Sequence, residues 1–207
     1  MIKYNLHIIL FQKQKEKPDL GGKVGEILLF PCQIDERSAR IVSQSLTRAA
    51  LLLAVGILAQ QMRLIVPLPP MVMTLIIGTI VNTVLMLAAD STEKKYCLVM
   101  TLALPLVAYM QGHITAFMIP VVFAGNTVYV YCYRKDASFW RLLIEAPAVK
   151  AILMGILMVL LGRLIADMPF WLLKKTAPIL VGMQWITGMT GVMASQYFLH
   201  HVNHKSL

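Results

Sequence analysis

Residues 47–64 read TRAALLLAVGILAQQMRL, and no charge falls between Ala49 and Ala59. A helix needs an apolar run of about 18 residues to cross a bilayer, and this stretch reaches that length when Gln60, Gln61 and Arg63 sit at headgroup depth. Within it Ala50 and Ala54 are four residues apart, with Gly56 close by. Residues at that spacing share a helix face, so the two alanines form a shallow stripe against which another helix can pack. Spacing alone assigns such a stripe to packing within the chain.

The rest of the sequence continues in the same manner. Of its 207 residues, 58% are hydrophobic and 14% charged, against about half and about a quarter in a soluble domain. The mean hydropathy is +0.70. These values describe an integral membrane protein. The formal net charge of +9 does not point to nucleic acid, because the bases lie between apolar runs instead of along one face, which is the pattern of topology signals. Cys32, Cys97 and Cys132 are isolated and suggest neither a disulfide framework nor a metal site. There is no HExxH, GxSxG or P-loop, so no motif points to catalysis, to a cofactor or to ATP hydrolysis.

Three segments are expected. Residues 1–46 are charged, contain Pro18 and Gly21-Gly22, and hold apolar runs at 6–11 and 27–30 that are too short to span. They read as a poorly ordered cytoplasmic leader, or as a non-native stretch if translation begins within 41–46. Residues 47–201 read as an all-α domain of six transmembrane helices in a compact bundle, and 202–207 as a short cytoplasmic tail. The spans are placed at 47–64, 71–89, 96–110, 114–133, 147–167 and 177–199. Prolines 67, 69 and 70 make a stiff turn after the first span. Pro120 and Gly125-Asn126 are expected to interrupt the fourth. Residues 134–145 read as a surface segment with Phe139, Trp140, Leu142 and Leu143 on its apolar side, and 168–176 as a loop carrying Phe170-Trp171 and Lys174-Lys175.

With both termini in the cytoplasm, 15 of the 19 Lys and Arg fall on inner segments, leaving Arg63, Arg163, Lys174 and Lys175 toward the outside. Without the eight bases up to Arg48 the balance is seven against four. Either count follows the positive-inside bias. On this topology Gln60, Gln61, Arg63, Gln111, His113, Arg163, Gln184 and Trp185 all lie near the outer face. Polar groups are costly within lipid and usually face the bundle interior or a cavity, so this ring is the candidate substrate pocket. Taken singly, each fits an interfacial side chain. Arg163 and Asp167 are spaced to pair. Asn82 and Asn126 lie deeper, where a bond between helices competes with substrate contact. The Met-rich run 154–158 reads as packing material.

The opening Thr-Arg-Ala-Ala-Leu-Leu-Leu-Ala, the mid-helix Asn82, the turn Gln111-Gly112-His113 and the following Pro120 and Gly125-Asn126 resemble the substrate-binding S components of energy-coupling factor transporters. The resemblance covers residues 45–201. It implies a bacterial cell-membrane protein, not an enzyme, that captures a vitamin or other micronutrient at the outer face. The cargo would pass inward with a transmembrane coupling subunit and two ATPase subunits, for which Ala50 and Ala54 match the family's docking stripe. A separate motor accounts for the lack of a nucleotide motif. Two other classes stand beside this reading: a small membrane enzyme using its intramembrane Asn, Gln and His, and a self-sufficient carrier or channel.

Overall fold

The structure is a computed structural model that describes residues 36–134 and 136–205, with side chains placed from residue 42 to 201. The expectations for residues 1–35 lie outside the described residues. Six helices follow one another: α1 (Glu36–Ile65), α2 (Pro70–Ser91), α3 (Lys94–Met110), α4 (Met118–Tyr131), α5 (Phe139–Leu164) and α6 (Phe170–Lys205). No strand occurs among the described residues. Val42–Ile65, Pro70–Ser91, Phe139–Leu164 and Phe170–His201 are each long and apolar enough to cross a membrane. The chain therefore has the build of an α-helical membrane protein. At 1.5 Å per residue, α3 and α4 reach only about 25 and 21 Å, short of a hydrocarbon core of about 30 Å.

Close contacts fix the packing direction of each helix. Gly78 lies against Thr187 and Gly191 against Asn82, so α2 and α6 run parallel. Gly155 meets Val181, Gly162 meets Leu173 and Gly188 meets Pro147, so α5 and α6 are antiparallel and zipped along most of α5. Gly125 on α4 meets Met154 on α5. Small residues take this role because lipid gives apolar helices no hydrophobic reason to associate, leaving close van der Waals approach and polar contacts as the glue. The Thr79 and Thr190 hydroxyls, 2.9 Å apart, add one such contact between α2 and α6. Leu85, Met86, Met100, Leu104, Tyr129, Leu143 and Val192 fill the main core, and Val121, Met154 and Met158 a second.

Several expected boundaries shift. α1 is helical from Glu36, so the boundary expected at residue 47 falls inside a helix. The surface segment expected at 134–145 is instead partly the start of α5. Leu142 and Leu143 are buried there, but Phe139 and Trp140 are exposed, and Arg141 pairs with Glu145 across one turn at 2.7 Å. α5 then continues through Pro147, which packs on Gly188. Similarly, Phe170-Trp171 and Lys174-Lys175 belong to the first turns of α6, which continues through Pro178 and on to Lys205. Pro120 does not break α4. It stands in the first turn, where a missing N–H has no intrahelical acceptor to lose, and Gly125-Asn126 are helical.

Candidate functional site: two polar centres in an apolar bundle

The first centre lies at the end of the bundle that carries the proline turn. Buried Gln60 donates from Nε2 to the Leu104 carbonyl at 3.1 Å, tying α1 to α3. About one turn further on, Arg63 Nη2 donates to Thr74 Oγ1 on α2 at 2.9 Å. α3 ends in a reversal in which the backbone N–H of Gln111 donates to Val107 and that of His113 to Ala108. Gly112 sits in this turn at φ 71°, a conformation that favours glycine. The reversal leaves the Gln111 and His113 side chains half-buried.

Five side-chain atoms of these residues are buried with no hydrogen-bond partner: Gln60 Oε1, Arg63 Nε, both amide atoms of Gln111, and His113 Nε2. Leaving a buried polar group unpaired costs about 1–3 kcal/mol. Burial first, and the nearby Arg63 guanidinium second, hold the His113 imidazole below its ordinary proton affinity, so it is neutral at pH 7. The arrangement thus offers two amide oxygens as acceptors, a guanidinium N–H and an amide N–H as donors, and an imidazole nitrogen.

The other residues of the expected ring are placed differently. Gln61 is half-buried beside Gln60 on α1. Arg163, exposed at the end of α5, lies 3.7 Å from Asp167 and donates to the Met168 carbonyl at 3.4 Å. Gln184 is half-buried on α6, and Trp185 is 46% exposed.

The second centre is deep in the bundle. Lys150 on α5 is 2% exposed, and its Nζ donates to Asn82 Oδ1 on α2 at 2.5 Å. Asn82 Nδ2 in turn donates to Thr187 Oγ1 on α6 at 3.2 Å. Asn82 therefore joins three helices. Lys150 Nζ also lies 4.9 Å from the centre of the Tyr129 ring on α4, while Tyr129 Oη donates to the Gly188 carbonyl at 2.8 Å. Asn126 is buried about one turn before Tyr129 on α4. Among the described residues no carboxylate pairs with Lys150.

Sequence reading counted Lys150 among the inner bases, and that count needs correction. Beyond Arg48, only Lys94, Lys95, Arg134, Lys135, Arg141 and Lys205 remain, six against four. The signal was present: Lys150 follows Ala148-Val149 and precedes Ala151-Ile152-Leu153-Met154, so it lies inside an apolar run. Treating Pro147 as a helix start had put it at the membrane surface. Lys150→Met should lose less stability than Lys150→Ala: both leave Asn82 Oδ1 unpaired, but an apolar side chain of similar volume keeps the packing and removes a buried amine that no carboxylate opposes. Lys150→Ala should lose about 2–5 kcal/mol, since it leaves a cavity and an unpaired Asn82 Oδ1. Unfolding in mixed detergent micelles compares them; equal losses in both would show that the Lys150–Asn82 bond outweighs packing.

Comparisons with known proteins add no relative: no protein-family model, no curated protein and no solved structure matches this chain.

Proposed function

We propose that this protein is the solute-capture subunit of a bacterial micronutrient importer, of the energy-coupling factor kind, crossing the cell membrane six times with both termini in the cytoplasm. α3 and α4 are then short crossings between the four long ones. The reading rests on the buried atoms of Gln60, Arg63, Gln111 and His113 that no group of the chain satisfies. Buried hydrogen-bonding atoms that the chain itself leaves unsatisfied at one end are suited to a ligand that completes them. The cargo is a small polar molecule with both donors and acceptors, and Arg63 favours one bearing a carboxylate or other anionic group. A transmembrane coupling subunit and two ATPase subunits supply the energy, and Ala50 and Ala54 form the seam where the coupling subunit docks.

Native mass spectrometry of protein purified from its own membranes tests the capture step. Wild-type protein should retain a small molecule, and Arg63→Ala and Gln111→Ala should each lower its retention about tenfold or more, in line with about 1.5–3 kcal/mol for a hydrogen bond to a charged group. Unchanged retention in both variants would remove the cluster as the capture site.

A further inference from the structure

We propose that the seam between α5 and α6 is a binding site for one anionic phospholipid, with an acyl chain in the interhelical groove and the phosphate at its end among Arg163, Lys174 and Lys175. A groove of about 810 Å³ runs between the two helices, lined by Gly155, Ile156 and Leu160 on one side and Ala177, Val181 and Gly182 on the other. Its walls are almost wholly hydrocarbon. From Ile152 to Leu160 it extends for about 12 Å at the helical rise of 1.5 Å per residue, a length suited to much of one acyl chain within a leaflet.

Charge collects at one end of this groove. Arg163 follows Leu160 by three residues, Lys174 precedes Ala177 by three, and Lys175 precedes Pro178 by three, so each stands over a lining residue on its own helix. The contact of Gly162 with Leu173 puts Arg163 and Lys174 at one level across the seam. Asp167, 3.7 Å from Arg163, is the carboxylate present, and among the described residues none pairs with Lys174 or Lys175. Phe170 and Trp171 are 67% and 61% exposed beside them, with Lys175 Nζ 5.6 Å from the Trp171 ring centre. Exposed aromatics and bases together mark headgroup depth, and an apolar groove continuing from them marks acyl depth. Neutral headgroups satisfy the groove but not the three cations.

The test uses full-length protein, delipidated in detergent and reloaded from equimolar phosphatidylglycerol and phosphatidylcholine of identical chains, with bound lipid counted by native mass spectrometry. Phosphatidylglycerol should be retained about tenfold over phosphatidylcholine. The R163Q/K174Q/K175Q variant should bring that ratio close to one. Gly182→Leu should lower retention of both lipids, because a Cβ at Gly182 meets nothing within 4 Å and its side chain can enter the groove without moving a helix. Glycerol phosphate, which lacks chains, should not displace the bound lipid. Equal retention by the wild type, selectivity that survives the triple substitution, or displacement by glycerol phosphate would each overturn the proposal.

Discussion

Gly191→Leu should be the most damaging single substitution in the bundle, lowering stability by about 3 kcal/mol or more. A Cβ at Gly191 would stand 2.6 Å from Asn82 Cβ, 3.0 Å from its carbonyl carbon and 3.1 Å from the Thr83 nitrogen. Two of those three atoms are backbone and cannot rotate away, so α2 and α6 must part. Parting them also strains the Thr79–Thr190 contact and the Asn82–Thr187 bond, and with the latter the grip on Lys150. Gly125→Leu should cost less, although its nearest approach is shorter, because it meets the Met154 side chain, which is flexible and can swing aside. Reversible unfolding in mixed micelles ranks the two. A Gly191→Leu protein within about 1 kcal/mol of the parent, a small effect on the usual mutational scale, would mean that α2 and α6 adapt freely.

On the proposed function, replacing Ala50 and Ala54 together by Trp should abolish cargo uptake in cells that carry the proposed importer, while the isolated protein binds its ligand as before. Both alanines are exposed on α1, on the face that also shows Leu51, Val55 and Leu58. The protein's own packing uses other positions of that helix: Ser45 accepts from the Glu93 N–H at 3.0 Å, Ala49 is buried, and Gly56 lies against Leu104. Two large rings on the outward face therefore leave the bundle intact but hold a docking helix several ångströms away, beyond the reach of van der Waals attraction. The expected result is uptake at background with ligand retention unchanged. Full uptake would sink the docking role of this face, and a loss of retention as well would tie these alanines to the fold.

Much of the helical order could be read directly from residues. The long apolar runs, the proline turn after α1 and the reversal at Gln111-Gly112-His113 are local features, and the structure places them where hydropathy and turn chemistry put them. The errors cluster at Pro147 and Pro178. Read from the sequence, the fifth and sixth spans start at Pro147 and Ala177, which sets each proline in a first turn, where it fits, and not in a helix interior, which it disrupts. Yet both lie inside helices that began about two turns earlier. Packing of Pro147 against Gly188, and burial of Leu142, Leu143 and Ala146, carry α5 across its proline. Those partners lie on another helix or on a face that is not marked in the sequence. The misplacement of Lys150 followed from the same step.

What the sequence determined alone was solvent and secondary structure: a chain this apolar must satisfy its backbone internally, so in lipid it forms helices, and its breaks fall where glycine, proline and charge collect. Tertiary structure decided which polar groups meet. Only packing brings Asn82, Lys150 and Thr187 from three helices into one chain of bonds, and only the closed fold buries Gln60 Oε1, Arg63 Nε, the Gln111 amide and His113 Nε2 without partners. The reason is range: helix propensity and hydropathy act over a few residues, whereas these contacts join residues tens to more than a hundred positions apart and exist only after the helices have closed on one another.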